Sequence, residues 1–223
     1  MTLKEAIHAR HSVRAYDDKP IDKQALAALS SFIEECNAQG DLNIQLVTDE
    51  PNAFGKSLLA HYGKFSGVKN YIAMVGKKGK DLDEKIGYYG EKIVLLAQTL
   101  GLNTCWVALT FKKIKNAFKI NKGEKLVVVI SIGYGITQGV PSKNKPLDKV
   151  CDFNGKSPAW FLEGVSAALL APTAINQQKF FFTEENGVVT AKASAGPCAK
   201  IDLGIVKYHF ELGAGKENFK WKE

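Results

Sequence analysis

The sequence predicts an α+β fold in which helices cover a sheet. Helix-like segments with apolar residues every three or four positions alternate irregularly with short β-favouring runs, without a regular βαβ repeat. The run KLVVVISIGYG, residues 125–135, is almost continuously apolar and β-branched, as expected of a central strand covered on both faces. The dipeptide Asn186-Gly187 lies between two β-favouring runs and predicts a hairpin.

The first part of the chain provides two helices and two further strands. Asp22 is placed to cap a helix that ends near Gly40, and its apolar stripe consists of Leu26, Leu29, Ile33 and Cys36. The runs LNIQLVT, residues 42–48, and VKNYIAMVG, residues 68–76, are typical of strands. A longer helix is predicted from Asp81 to Leu100, followed by Gly101 as a C-terminal cap.

A proline-rich polar stretch, residues 140–160, predicts a boundary between two domains, 1–150 and 151–223. After it, Pro158 begins a helix that Pro172 ends, and a last helix is predicted from about Ile201 to Leu212, ending at Gly213 before the strand-like NFKWK. Each part contains a helix, a strand and a helix ending in Leu-Gly, which suggests an internal duplication.

Composition excludes several classes of protein. The 223 residues are 45% hydrophobic, which suits an ordinary core, yet no apolar run approaches the roughly 20 residues of a membrane span. The N-terminus lacks the apolar core of a signal peptide, so we expect a cytoplasmic protein. Four cysteines without a CxxC pair and four histidines without ligand spacing predict neither disulfides nor a metal site.

The formal net charge of +7 is compatible with nucleic-acid binding, an anionic small ligand or simple solubility. The lysines are dispersed among acidic residues and lack interleaved aromatic residues, so nucleic acid is not the expected partner.

The densest cluster of hydrogen-bond donors is RHSVR, Arg10 to Arg14. Two interpretations remain open from the residues alone. The cations can complement the dipole of a preceding helix, or two guanidiniums and a hydroxyl can bind a phosphate. The chain contains neither a GxxxxGK[ST] nor a GxGxxG motif, so a P-loop or a dinucleotide fold would not supply that phosphate.

Arg10-His11-Ser12-Val13-Arg14 resembles the R-x-S-x-R opening of the nitroreductase family of flavoproteins. Three further stretches are similar to family motifs. They are GEKIVLLAQTLGLNTCWVAL at 90–109, PSKNKPLDKV at 141–150 and APTAINQQKFFF at 171–182. Each is weak alone, because core helices, polar linkers and strand entries explain them equally well, but the four together are distributed over most of the chain.

The resemblance implies that FMN is bound without a covalent bond. The residues implied at its phosphate and ribityl chain are Arg10, His11, Ser12, Arg14, Lys143 and Lys145; those implied at its ring or ribityl edge are Trp106, Ala108, Leu109, Pro172, Thr173 and Asn176. It also implies reduction by NAD(P)H and reoxidation by nitroaromatics, quinones or similar acceptors in a ping-pong cycle. No side chain is predicted as an obligatory acid or base. A flavin-dependent dehalogenase and a non-catalytic flavin-binding protein remain alternatives, as do a monomer and a homodimer.

The order of the motifs departs from the family pattern. The APSxxNxQPW-like segment begins at Ala171, after a second helix, instead of following the first. We therefore expect two tandem half-subunits related by a pseudo-two-fold, which together complete one flavin site per chain. Lys179 and Phe180 replace the family's proline and tryptophan, and Ala108-Leu109 replaces a glycine-containing loop.

Overall fold

The computed structural model describes residues 1–54, 64–153, 155 and 157–222, which form five α-helices and seven β-strands. The helices are α1 (Leu3–Ala9), α2 (Lys23–Gly40), α3 (Leu82–Thr99), α4 (Ala159–Leu169) and α5 (Ala199–Ala214). The strands are β1 (Gln45–Val47), β2 (Asn70–Lys77), β3 (Asn103–Val107), β4 (Glu124–Gly133), β5 (Phe180–Glu185), β6 (Val188–Ala193) and β7 (Lys220–Trp221). None of the helices in these ranges is both long and apolar enough to cross a membrane.

The chain divides into two compact units by its internal contacts. The sheet unit comprises Ala9–Leu82 and Ile93–Pro141, and the hairpin unit comprises Met1–His8, Asp83–Lys92 and Ser142–Glu223. The change of unit at residues 141 and 142 falls within the proline-rich stretch, while the first eight residues join the later part of the chain.

The sheet unit contains a four-stranded antiparallel sheet in the order β1–β2–β4–β3. As its sequence predicted, β4 is an inner strand, with β2 on one side and β3 on the other, and its residues 128–133 are buried. Tyr71, Val75 and Val129 belong to the buried cluster that forms the core of this unit.

Most sheet-unit predictions are confirmed, with two differences. The side chain of Asp22 caps α2 by accepting from the backbone N–H groups of Gln24 and Ala25. The first predicted strand is shorter, because pairing with β2 begins only at Gln45. Strand β3 was not predicted from sequence; it forms because its five residues pair with a distant partner, β4.

The hairpin unit holds the predicted β5–β6 hairpin, and β7 adds to it in parallel with β6. Its turn, Asn186-Gly187, has positive φ at both residues, as a tight hairpin turn requires. Aromatic rings fill the core of this unit: Phe182 stacks on Phe210 at 4.8 Å between ring centroids, and Phe219 meets Phe210 edge-on at 5.1 Å.

Two glycines let the backbones of α3 and α5 touch within the hairpin unit. A Cβ atom at Gly204 would lie 2.0 Å from the carbonyl oxygen of Glu84, and one at Gly87 would lie 2.0 Å from that of Ile201. No larger residue fits at either position without separating the helices.

The predicted end of the last helix is wrong. Helix α5 runs past Gly213 to Ala214, and the residue with positive φ that ends it is Gly215. Gly213 instead serves close packing, because a Cβ atom there would lie 2.6 Å from Cβ of Ala167. The Leu-Gly helix endings that suggested a duplication therefore do not correspond in structure.

A buried polar pair lies within the hairpin unit. The His209 and Glu91 side chains are fully buried, and His209 Nε2 lies 2.9 Å from Glu91 Oε1. Nδ1 of the same imidazole lies 3.1 Å from the carbonyl oxygen of Ala167, so it carries a proton and donates to that oxygen.

Candidate functional site

The basic segment Arg10–Arg14 lies extended beside the start of β3 in the sheet unit. Ser12 forms a parallel bridge with Thr104, and the Val13 N–H donates to the Thr104 carbonyl oxygen at 3.0 Å. Arg10 is buried, with 5% of its surface exposed, whereas Arg14 is exposed and Ser12 is half-buried. The strand missed in the sequence is therefore the element that fixes the predicted phosphate-binding segment.

Arg10, Ser12 and Arg14 all influence the pKa of the buried Cys105 thiol in β3. Burial raises the pKa of that thiol, while the positive charges of Arg14 and Arg10 and a hydrogen bond with Ser12 act in the opposite direction. The segment therefore places two arginines and a serine beside the beginning of β3. This is the donor set that a dianionic phosphate requires.

His11 lies in the same segment but adds no charge at neutral pH. Partial burial lowers the pKa of its imidazole, and the neighbouring positive charge of Arg10 lowers that pKa further. Its predicted role is therefore limited to the single N–H of a neutral ring.

The distribution of arginine was a sequence signal left unused. Of the 30 Lys and Arg residues in the chain, only Arg10 and Arg14 are arginine. Arginine presents a planar fork of N–H donors that matches phosphate oxygens in pairs, which lysine does not. Its confinement to this segment strengthens the interpretation as an anion site.

Asn103 fixes a loop against the basic segment. Its Oδ1 accepts from the Gly135 N–H at 2.9 Å, and its Nδ2 donates to Gln138 Oε1 at 2.9 Å. At Gly139 a Cβ atom would lie 2.7 Å from Cβ of His11, so the loop backbone packs directly on that residue. Asn103 is 3% exposed and was not predicted as a site residue.

The predicted ring-side residues lie at the other end of β3. Trp106 is half-buried in the strand opposite Ile130, and Ala108 and Leu109 follow the strand with Leu109 81% exposed. Thr104, which pairs with Ser12, and Ala108 are four residues apart, about 13 Å in an extended strand. A ligand that touches both ends of this strand must be elongated.

The remaining predicted residues belong to the hairpin unit, where two segments are joined by hydrogen bonds. The Asn176 Nδ2 donates to the Lys143 carbonyl oxygen at 2.8 Å. Buried Gln178 joins the same segments: its Oε1 accepts from the Lys145 N–H at 2.7 Å, and its backbone N–H donates to Thr173 Oγ1 at 3.1 Å. Pro172 precedes this segment and is half-buried.

The Lys145 ammonium donates to the carbonyl oxygens of Gln177 and Gln178 at 2.8 and 2.9 Å. Two of its three N–H groups are therefore used in hydrogen bonds to the backbone, which fix the segment at Gln177 and Gln178 in this structure. The Lys143 side chain is exposed. Binding of a phosphate by either lysine remains a prediction.

The segment after Thr173 has an unusual backbone. Ile175, Asn176 and Gln178 have φ of 49°, 54° and 43°, and Ile175 is 84% exposed. Positive φ is rare for any residue with a side chain and is a genuine outlier for a β-branched one. Such conformations concentrate at functional sites and persist where the surroundings hold them.

A buried carboxylate, Asp202 in the first turn of α5, supports this segment. Its two oxygens lie 3.0 and 3.1 Å from the Ala174 nitrogen, and Oδ2 accepts from Gln177 Nε2 at 2.7 Å. Burial raises the pKa of Asp202 to about 6, although the hydrogen bonds from Gln177 and Ala174 oppose that change. Asp202 was not predicted as a site residue.

Two clefts in the hairpin unit involve none of the predicted residues. One of about 520 Å³ lies among α1, α4 and the end of α5, lined by residues such as Ile7, Leu162 and Leu212. The other, of about 500 Å³, lies beside the start of α5 and is lined by Asp83, Glu84 and Cys198 among others. The residues in the described ranges contain no group of three or more His, Cys, Asp or Glu side chains that could hold a metal ion.

Comparison with protein families gives a match that spans nearly the whole chain. The family model described as "Putative TM nitroreductase" matches residues 2–214. The chain belongs to this nitroreductase family. The prediction from the four motifs is confirmed at the level of the family, and a search of curated proteins found no match.

Solved structures of nitroreductases share the fold. A putative nitroreductase from Thermotoga maritima MSB8 is 22% identical, with a TM-score of 0.70 over 97% of this chain and 85% of that one. A putative nitroreductase from Desulfovibrio desulfuricans, solved in complex with FMN, is 16% identical, with a TM-score of 0.52 over 66% and 94%. A putative NADH dehydrogenase/NAD(P)H nitroreductase from Parabacteroides distasonis is 19% identical, with a TM-score of 0.53 over 69% and 98%. These likenesses confirm the predicted α+β nitroreductase-like fold.

Proposed function

We propose that this nitroreductase-family protein is an FMN-dependent oxidoreductase that takes electrons from NAD(P)H and passes them to nitroaromatics, quinones or similar acceptors. Bound FMN would supply the redox chemistry, while the protein binds and orients it. The Desulfovibrio structure carries FMN and the Parabacteroides protein is described as an NAD(P)H nitroreductase, which supports both parts of the proposal.

The observation that carries the proposal is the pairing of the segment that holds Arg10, Ser12 and Arg14 with the start of β3. Charge-assisted hydrogen bonds from guanidiniums to a phosphate are among the strongest that proteins make. The residues present therefore fit the phosphate of FMN. Ala108 and Leu109, at the opposite end of the strand, would contact its ring.

The hairpin unit would contribute Thr173 and Asn176 to the ring or ribityl edge, with Pro172 preceding them. Lys143 would face the phosphate or ribityl chain, and Lys145 would hold the segment through its backbone bonds. We propose, from the order of the motifs, that two tandem half-subunits, 1–150 and 151–223, complete one flavin site per chain.

The two arginines provide the direct test. Purified protein should be yellow and should bleach when NAD(P)H is added without oxygen. Arg10→Ala or Arg14→Ala should weaken FMN binding by roughly 1.5–3 kcal/mol, about tenfold to a hundredfold in Kd measured by flavin fluorescence. Arg10→Lys should restore only part of the loss, because an ammonium cannot bond two oxygens as a planar fork does.

Lys23→Ala is the matched control, since it removes one positive charge from an exposed position of the same unit. Its FMN affinity should equal that of the wild type. Equal affinity in the Arg10, Arg14 and Lys23 variants would mean that the phosphate lies elsewhere. A colourless protein that takes up no added FMN would refute the proposal as a whole.

A further inference from the structure

Asp202 connects the segment Thr173–Gln178, in which three residues have positive φ, to the first turn of α5. Its carboxylate is 5% exposed and accepts hydrogen bonds from the Ala174 N–H and from Gln177 Nε2. The same Gln177 amide donates to the Pro197 carbonyl oxygen at 2.8 Å, so the preceding loop is tied to the same point.

The hydrogen bonds of Asp202 hold this segment in a strained backbone conformation. Three of the four residues from Ile175 to Gln178 have positive φ, a conformation that side chains disfavour and that the surroundings must hold. Gln178 and Lys145 hold one side of the segment, through the bonds described above, and Asp202 holds the other. Without Asp202 the segment can relax towards commoner backbone conformations.

We infer that Asp202 is a positioning residue of the flavin site: its ionised carboxylate holds Thr173 and Asn176 in the arrangement that binds FMN, and its protonation releases them. This inference rests on the proposed function, because it concerns the same site.

The chemistry of the carboxyl group explains why its ionised form matters. An ionised carboxylate only accepts hydrogen bonds, which suits a site where Ala174 and Gln177 both offer N–H groups. A protonated carboxyl turns one oxygen into a donor that faces another donor. Burial raises the pKa of Asp202 to about 6, so this exchange occurs between about pH 5 and pH 7.

Other ionisable groups lie on α5, on α3 and around the cleft beside the start of α5. They are Cys198 and Lys200 on either side of the helix start, Asp83 and Glu84 of α3, Lys207, which pairs with Glu84, and Lys179, which donates to the Ala195 carbonyl oxygen. Burial, together with the charges of Asp202 and Asp83, raises the pKa of the Cys198 thiol, which therefore stays neutral across this range.

The test compares FMN affinity in wild type and Asp202→Asn at pH 7.5 and pH 5. The phosphate of FMN and His11 also titrate, but they do so in both proteins, so the ratio of the two Kd values isolates Asp202. We expect the variant to bind about tenfold more weakly at pH 7.5 and equally at pH 5, because both proteins then lack the ionised carboxylate. Glu185→Gln, which changes an exposed carboxylate at the end of β5, should match the wild type at both pH values.

Amide hydrogen exchange gives a second readout that needs no flavin. At pH 7.5 the Ala174 amide should exchange about tenfold faster in Asp202→Asn than in the wild type, and at the wild-type rate in Glu185→Gln. Two results would overturn the assignment of Asp202 alone. They are a ratio of the Kd values of Asp202→Asn and the wild type that is the same at both pH values, and equal exchange of the Ala174 amide in these two proteins. A wild type that binds no FMN would overturn the proposed function, and with it the role of Asp202 in a flavin site.

Discussion

Replacing Asp202 by Asn measures what a buried charge costs this fold. The pKa of the carboxyl group rises from its ordinary 3.8 to about 6 in the folded protein. At 1.36 kcal/mol per pH unit this difference corresponds to about 3 kcal/mol of stability. Folding is favoured when the carboxyl is protonated, so the contribution is complete below pH 3.8 and disappears as the pH rises through 6.

Only part of this change is accessible at convenient pH. Between pH 4.5 and pH 8 the wild type should lose about 2 kcal/mol of unfolding free energy relative to Asp202→Asn, which has no charge to lose or gain. Urea unfolding of both proteins at the two pH values gives the four free energies. The comparison cancels all other titrating groups, because they are the same in both proteins.

The direction of the effect is as informative as its size. A hydrogen-bonded surface carboxylate would have a lowered pKa and would stabilise the fold as the pH rises, so the wild type would gain on the variant. That result, or a difference independent of pH, would refute the conclusion that burial dominates at Asp202. We expect Asp202→Asn to be more stable than the wild type relative to low pH, and to bind FMN more weakly, at high pH. This combination would show that Asp202 is kept for function at a cost in stability.

Three further predictions concern stability measured by urea unfolding. Glu91→Ala should cost about 3–5 kcal/mol, because it leaves the buried His209 imidazole without its carboxylate, whereas Glu91→Leu combined with His209→Leu should cost less than the sum of the two single leucine changes. Ile175→Gly should be about 1 kcal/mol more stable than Ile175→Ala, since glycine adopts positive φ freely and the exposed side chain packs little; equal stabilities would mean that the segment is not strained. Gly204→Ala should lower the free energy of unfolding by about 1–3 kcal/mol, because the added methyl group forces α3 and α5 apart. A change near zero would contradict their close contact.

Local sequence signals predicted the elements that depend on local chemistry. Asp22 begins α2 because its side chain bonds nearby N–H groups, and Asn186-Gly187 turns the hairpin because both residues accept positive φ. Strand β3 depends instead on pairing with residues about 25 positions later in the chain, a dependence that no short window contains. The end of α5 was misplaced because Gly213 is needed for packing against α4, which a sequence pattern does not distinguish from a helix cap.

The candidate site shows the same division. The density of donors from Arg10 to Arg14 was visible in five residues, and the structure places this segment beside the start of β3. Asp202 was invisible because its partners, Ala174 and Gln177, are more than 20 residues away and bond it through the backbone and an amide. Lysine patterns could not show that the Lys145 ammonium bonds carbonyl oxygens.

The composition of the hairpin unit affects how the protein is made. Residues 1–8 are synthesised before the sheet unit, yet they belong to a unit that also contains residues 142–223. At translation rates of about 5–20 residues per second, synthesis of residues 142–221 takes roughly 4–16 s. The sheet unit can therefore fold during translation, while the N-terminal helix waits for its partners with Ile7 and Ala6 still in water.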